Sequence, residues 1–287
     1  MSSPQNDAQQ STRIPFTKAS ACGNDFLLVE GEHASGALSA LSRRLCDRHG
    51  GVGADGVEWL FPDAEADVKA RLINADGSEA EISGNGTRCV AAQICSRENK
   101  TEVVIRTGAG LKTCRLLGRE DGREDGRTNG REEDGRQGST FEFETDMGQP
   151  EVGSQLSIET MWVRAVGMKV SMGNPHFVIF VENFPDDWQR QAALIGTQSQ
   201  FSQGTNVEYV VVRGANEIEI RLFERGVGET QSSGTGSCAS AVAAVASGRV
   251  ASPVTVIAPG GAQIVRWENQ VYLRGPATLI CRGEFFV

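Results

Sequence analysis

Two stretches decide how this sequence is read: EISGNGTRCVA (residues 81–91) and QSSGTGSCASA (231–241). In each, a serine (Ser83, Ser233) precedes glycine, a polar residue and glycine, and then a run of helical character. Serine is a favoured N-cap, so either stretch alone is a capped helix start. The pair belongs to a larger repeat. GND at 23–25 and GNP at 173–175 each precede an apolar strand, and Asn24 to Ser83 and Asn174 to Ser233 both span 59 positions. The same offset sets Asn74 opposite Glu224 and Glu79 opposite Glu229. Two motif pairs at one spacing indicate a duplicated unit. Each copy is a β-rich half with a central helix, and a pseudo-twofold brings the two glycine-rich helix starts to one cleft.

Strand signals dominate the rest. DFLLVE (25–30), VKARLI (68–73), TEVVIRT (101–107), TFEFET (140–145), MKVSM (168–172), HFVIFVE (176–182), NVEYVVV (206–212), EIEIRLF (217–223), VTVIA (254–258), VYLRG (271–275) and LICRGEFFV (279–287) are alternating or β-branched runs. GAN at 214–216 and ENQ at 268–270 are hairpin turns. Helices are expected over roughly 37–48, 86–98, 186–195 and 236–248. The class is therefore α/β in the α+β sense. An N-terminal lobe spans 14–148, a C-terminal lobe spans 149–275, and a last strand, 276–287, returns to the first lobe. Residues 1–13 are polar and read as a disordered tail. Residues 118–138, GREDGREDGRTNGREEDGRQG, have nearly balanced charge and cannot pack into a core, so they read as a disordered hairpin insert.

Bulk properties narrow the function. The chain has 287 residues, 39% of them hydrophobic, enough for a sizeable core. A net charge of −9 without a basic run excludes nucleic acid and anionic membrane surfaces as partners. No apolar stretch spans a bilayer and no signal peptide is visible. Seven cysteines without disulfide spacing fit a cytoplasmic protein. With no C-x-x-C pair and three scattered histidines, no metal site is expected.

A helix N-terminus offers unbonded N–H groups and a positive dipole end, and glycine lets backbone approach a ligand closely. Two such ends facing each other form a clamp for an anion, most simply a carboxylate. The residues opening the motifs then lie on opposite faces of the clamped group. One can remove a proton from carbon while the other returns one to the far side. Inversion at a carbon next to a carboxylate is the natural outcome.

Six motifs in order resemble diaminopimelate epimerase: ACGNDFLLVE (21–30), DRHGGVGADGVEWL (47–60), INADGSEAEISGNGTRCVA (73–91), MGNPHFVIF (172–180), GTNVEYV (204–210) and FERGVGETQSSGTGSCASA (223–241). The resemblance covers nearly all of the chain outside tail and insert. It implies a cofactor-free, pyridoxal-independent isomerase that interconverts LL- and meso-diaminopimelate for lysine and peptidoglycan synthesis. Its fold is two similar lobes, each a barrel-like sheet around a central helix. It places Asn24, Asn74, Asn174, Asn206, Glu224 and Arg225 around the substrate, with Arg225 on the distal carboxylate. Backbone at Gly84, Asn85, Gly234 and Thr235 clamps the reacting carboxylate. His176 and Glu224 stand behind the acid–base positions. A small-molecule substrate is the implied partner, and a homodimer is compatible with it.

The sequence departs from this pattern at the chemistry. The family opens each glycine motif with a cysteine that serves as acid or base, whereas this chain has Ser83 and Ser233. A thiol near pKa 8.5 can be lowered to roughly 3.5–7.5 at a helix N-terminus, but a hydroxyl yields no useful alkoxide without a strong base. Cys89 and Cys238 lie farther along, in the helices, as packing residues. The chain is therefore expected to bind substrate and to be inactive or nearly so. A deliberate double substitution or a natural loss of chemistry would each produce this pattern, and the identical swap at both symmetric positions favours the first.

Three rival readings carry less. GVGADG (51–56) matches a dinucleotide fingerprint but does not follow a strand or open a helix. A serine hydrolase using Ser83 or Ser233 with His176 and Glu224 lacks the G-x-S-x-G elbow. A non-catalytic amino-acid binding protein, or an isomerase of another small amino or hydroxy acid, would use the same scaffold.

Overall fold

The computed structural model describes residues 13–33, 37–120 and 138–287. The expected tail, apart from Arg13, and the expected insert, apart from 118–120 and 138, lie outside the described residues. Arg13 is already in a strand, paired with Phe286. Residues 118–120 also continue a strand, paired with 140–142.

The first half runs β1 (Arg13–Ala21), β2 (Asn24–Glu30), α1 (Leu38–Cys46), β3 (Gly56–Phe61), β4 (Val68–Asn74), β5 (Glu79–Ala80), α2 (Gly84–Glu98), β6 (Glu102–Thr107), β7 (Gly110–Glu120) and β8 (Ser139–Gly148). The second runs β9 (Glu151–Glu159), β10 (Arg164–Ser171), β11 (Pro175–Phe180), α3 (Trp188–Gly196), β12 (Asn206–Gly214), β13 (Glu217–Glu224), β14 (Gly228–Thr230), α4 (Gly234–Ala246), β15 (Val254–Ala258), β16 (Gly261–Trp267) and β17 (Val271–Phe286). Adding 150 to the bounds of α1 gives those of α3, and adding 150 to the starts of α2 and β3 gives those of α4 and β12. The duplication read from the motifs thus extends to the whole unit.

In the first half, β1, β2, β3, β4, β6, β7, β8 and β17 pair in a closed ring of eight strands. In the second, β9, β10, β11, β12, β13, β15, β16 and β17 pair in the same succession, without a β17–β9 pairing to close them among the described residues. The long strand β17 joins the halves. Its start pairs with β16, its middle with β8 and its end with β1. VYLRG and LICRGEFFV are therefore parts of one strand rather than two. β1, β3, β7, β9 and β16 are not among the expected strands; β9 carries Val152, Leu156 and Ile158 but is exposed on most of its length.

In each half the strands wrap a central helix that is buried on every side over most of its length. In α2, Gly84 through Cys95 are buried, and in α4, Gly234 through Ala244. Alanine, glycine, serine and cysteine dominate both, so the strands pack tightly around a slim cylinder. A helix without a polar face is a core helix. Phe26, Leu28, Phe141 and Phe143 pack on α2; Val178, Ile220, Leu222 and Leu273 pack on α4. Each such side chain is worth about 1.5–3 kcal/mol on burial. The outer helices are amphipathic instead. Leu41 and Leu45 of α1 cover Trp59, whose indole Nε1 donates to Ser42 Oγ at 2.9 Å. Trp188, Ala192 and Ile195 of α3 cover Tyr209 in the same way. GVGADG leads into strand β3, so the dinucleotide reading fails on its own context rule. No helix among the described residues is long and apolar enough to cross a membrane.

Candidate active site

The two central helices start against each other. A β-carbon on Gly234 would lie 2.8 Å from the Cα of Gly84, and one on Gly84 would lie 3.1 Å from the Cα of Gly234. Only glycine permits this approach. Leu273 of β17 and Met147 of β8 pack on the junction.

Ser83 and Ser233 cap the two starts. Ser83 Oγ accepts from the Gly86 N–H at 3.1 Å, and Ser233 Oγ accepts from the Gly236 N–H at 3.3 Å. Both caps have extended backbone, as N-caps do. Thr87 and Ser237 N–H groups donate to the Ser83 and Ser233 carbonyls. Among the described residues, the N–H groups of Gly84, Asn85, Gly234 and Thr235 are left with no acceptor. Two positive helix ends, each equivalent to about half a charge, thus face each other across the glycine contact. Arg88 adds a whole charge close by. It is fully buried, donates to Asn85 Oδ1 at 2.6 Å and to the Pro276 carbonyl at 3.3 Å, and leaves Nη1 without a partner. This place is built for an anion.

Polar side chains surround it. Asn24 and Asn174 both follow glycines with positive φ, Gly23 (77°) and Gly173 (94°), in the turns that carry the chain into β2 and β11. Asn24 Nδ2 donates to Asp55 Oδ2 at 2.6 Å. Asn174 Nδ2 donates to Thr235 Oγ1 at 3.3 Å. The Asn85 side chain is bonded to Asn24, Ser232, Arg88 and Gln263, so it braces the junction. Asn206 is buried and fastened at both ends, donating to the Pro175 carbonyl and accepting from the Arg225 N–H at 2.9 Å. Asn74 lies at the end of β4, bonded to Ser78 Oγ. Arg225 is exposed and donates to the Gln203 carbonyl; it has no acidic partner among the described residues.

Glu224 is bonded to Ser233. Its Oε2 accepts from Ser233 Oγ at 3.3 Å and its Oε1 from Thr230 Oγ1 at 2.7 Å. Burial pushes its pKa up, and the two hydroxyl bonds and His176 only partly offset this. It is therefore a stronger base than an ordinary carboxylate and is directed at Ser233. His176 behaves differently from expectation. It contacts neither serine. Its Nδ1 lies 2.6 Å from Glu208 Oε1 and its Nε2 lies 3.0 Å from Asn174 Oδ1. Burial holds the Glu208 carboxyl above its usual range although His176 acts the other way, and Glu208 Oε2 has no partner. His176 therefore reaches the Thr235 hydroxyl through Asn174, with Glu208 beneath it. Cys89 and Cys238 are buried in α2 and α4, and burial raises both thiols, that of Cys238 to about 12. Neither can supply a thiolate. A separate cavity of about 350 Å³, lined by Lys169, Ser171, His176, Phe201 and Thr205 among others, touches neither serine.

Two buried acids escaped the sequence reading: Glu208 and its repeat mate Glu58. Both sit inside apolar strand signals, VEYV and VEWL, and the repeat offset alone would have paired them. Glu58 is 3% exposed, and burial by itself lifts its carboxyl to about 8. Unfolded, it titrates near 4.3. Between those values the unfolded chain has released this proton while the folded chain keeps it, so stability falls as pH rises toward 8. Glu58→Gln is expected to remove that slope. Relative to the parent, its denaturation free energy should gain on the order of 3 kcal/mol between pH 5 and pH 8, read from urea curves at both.

Comparison with known proteins places the chain in a family. The sequence profile of the diaminopimelate epimerase family matches residues 16–123 and 168–280. The chain is 37% identical over 281 residues to the diaminopimelate epimerase of Desulfitobacterium hafniense, covering 94% of this chain and 97% of the relative. It is 40% identical over 293 residues to that of Desulforudis audaxviator, covering 95% and 99%. Among solved structures it resembles a hydroxyproline epimerase from Agrobacterium vitis with bound trans-4-hydroxy-L-proline (TM-score 0.70, 14% identity, 97% of this chain and 94% of that one). A methylitaconate-delta-isomerase shares the fold at TM-score 0.62 and 14% identity, covering 96% and 95%.

Proposed function

Because the chain belongs to the diaminopimelate epimerase family, we propose that its facing helix starts hold the reacting carboxylate of 2,6-diaminopimelate. The carrying observation is the close approach of two glycine-rich helix starts whose Gly84, Asn85, Gly234 and Thr235 N–H groups have no acceptor among the described residues. Ser83 and Ser233, one from each lobe, flank that junction as the two acid–base positions. The group at one position removes the α-proton; the group at the other delivers a proton to the opposite face, and the configuration inverts without a cofactor. The N–H groups stabilise the charge that builds on the carboxylate while carbon is deprotonated.

Asn24, Asn74, Asn174, Asn206 and Arg225 recognise the end of the substrate that does not react. Glu224 accepts the proton of position 233, and His176 steadies the Asn174 side of the clamp. The lobes, 14–148 and 149–275, act as two jaws that close on the ligand. With serine at both positions the chain binds substrate and turns it over slowly or not at all. All seven cysteines are unpaired, which supports a reducing, cytoplasmic setting.

Calorimetry with LL-diaminopimelate tests this. The chain should bind it, and Arg225→Ala should weaken binding roughly ten- to a hundredfold, the ~1.5–3 kcal/mol of hydrogen bonds to a charged group. Lysine, which lacks the distal carboxylate, should bind as weakly to the parent as diaminopimelate does to the variant. Equal affinity of parent and variant for diaminopimelate would remove Arg225 from the site.

A further inference from the structure

The repeat that pairs Ser83 with Ser233 also pairs Glu58 of β3 with Glu208 of β12, and both carboxyls occupy the same place under a helix start. A β-carbon on Gly86 would overlap Glu58 Oε1, and one on Gly236 would lie 3.1 Å from Glu208 Oε1. Those same two points lie 3.3 Å and 3.2 Å from the Cβ atoms of Ser83 and Ser233. A glycine at the third helical position of each motif thus leaves a gap that a glutamate fills directly beside the acid–base residue.

The two lobes then diverge. Glu208 bonds His176. The position matching His176 in the first lobe is Phe26, and Glu58 has no hydrogen-bond partner or cation among the described residues. Across the strands Glu58 faces Leu28 of β2 and Leu72 of β4. From α2 it meets the first turn and the Cys89 thiol, the one titratable group acting with it. A second buried acid with no structural bond, beside the residue that must gain and lose a proton, has a chemical use.

We propose that Glu58 is the proton-relay residue of position 83. The inference rests on reading residues 83 and 233 as the acid–base pair. With a thiol at 83, the Glu58 carboxylate takes the S–H proton and leaves a thiolate; the thiolate then takes the α-proton of the substrate and becomes a thiol again. In the other direction the thiol gives its proton to carbon, and Glu58 returns its own to sulfur. Protons and charge balance without another reactant. Glu58 acts through position 83 and need not touch substrate. The Ser233 face uses Glu224 in the same capacity, so each face has its own acid.

The test measures alkylation of the thiol installed by S83C with iodoacetamide from pH 5 to 10, quantified on the peptide that contains position 83. Coupling to Glu58 predicts a rise in two steps, because two interacting groups share the titration. In S83C/E58Q the rise should collapse to one step, with alkylation at pH 9 about three- to tenfold faster because no second negative charge opposes the thiolate. The thiol of S233C should be indifferent to E58Q. If E58Q does not fold, S83C/E58D, which withdraws the carboxyl by one methylene, should move the upper step. Added to S83C/S233C, E58Q should lower kcat with little change in KM. An active S83C/S233C whose profile at 83 is the same with and without Glu58 overturns the relay and leaves the family reading standing. An S83C/S233C that binds diaminopimelate and exchanges no α-proton overturns both.

Discussion

S83C/S233C is expected to exchange the α-proton of LL-diaminopimelate at least a hundredfold faster than the chain with two serines. Positioned acid–base catalysis contributes about 10²–10⁴-fold, and two serines forgo it on both faces. The framework for the thiols is already present. Each position is a helix N-cap with an extended backbone, next to unpaired N–H groups that favour an anion. Position 233 also has Glu224 at 3.3 Å as a proton acceptor. A hydroxyl in the same setting is too weak an acid for Glu224 to ionise, even with the carboxyl raised by burial. S83C or S233C alone leaves one face without its thiol, so neither should give full epimerisation.

Gly234→Ala is expected to disrupt the clamp. Alanine is favoured over glycine in a helix by about 1 kcal/mol, so propensity alone would make this change stabilising. Sterics decide otherwise. The added carbon would meet Gly84 Cα at 2.8 Å and Leu273 Cδ2 at 3.2 Å. One of those is backbone of the opposing helix and cannot swing aside, so the helix starts must separate. Overpacking of this kind costs about 1–3 kcal/mol. The larger effect falls on ligand affinity, because the two helix starts no longer meet; a displacement near 1 Å can cost about a hundredfold. Calorimetry should show diaminopimelate binding weakened by about that factor. Gly84→Ala, with 3.1 Å to Gly234 Cα, should be milder. Equal binding by parent and Gly234→Ala would mean the junction is structural only.

The features legible in sequence were those that local chemistry writes locally. Serine before glycines marked both helix starts, and the equal spacing from Asn24 to Ser83 and Asn174 to Ser233 exposed the duplication and, with it, the cleft. The family match bears out the resemblance drawn from six motifs. What stayed hidden depends on who neighbours whom across the fold. The largely exposed strand β9, with only Ile158 buried, is held by pairing with β10. β17 looks like two strands because Pro276 falls between two apolar runs, yet β8 and β1 pair with it in succession. His176 was placed behind an acid–base residue, but Glu208, a neighbour only through the parallel pairing of β11 and β12, takes its ring nitrogen. Glu58 and Glu208 were overlooked for the same reason: a lone acid in an alternating strand reads as a solvent-facing position until the helix on that side is known.

The most direct test of the account is proton NMR of LL-diaminopimelate in D2O, run with the chain and with S83C/S233C in parallel, following loss of the α-proton signal. The account predicts exchange with the double variant and little or none with the chain itself. Rapid exchange with the serine chain would contradict the claim that the residues at 83 and 233 carry the proton, and so would a folded, substrate-binding S83C/S233C that leaves the signal untouched.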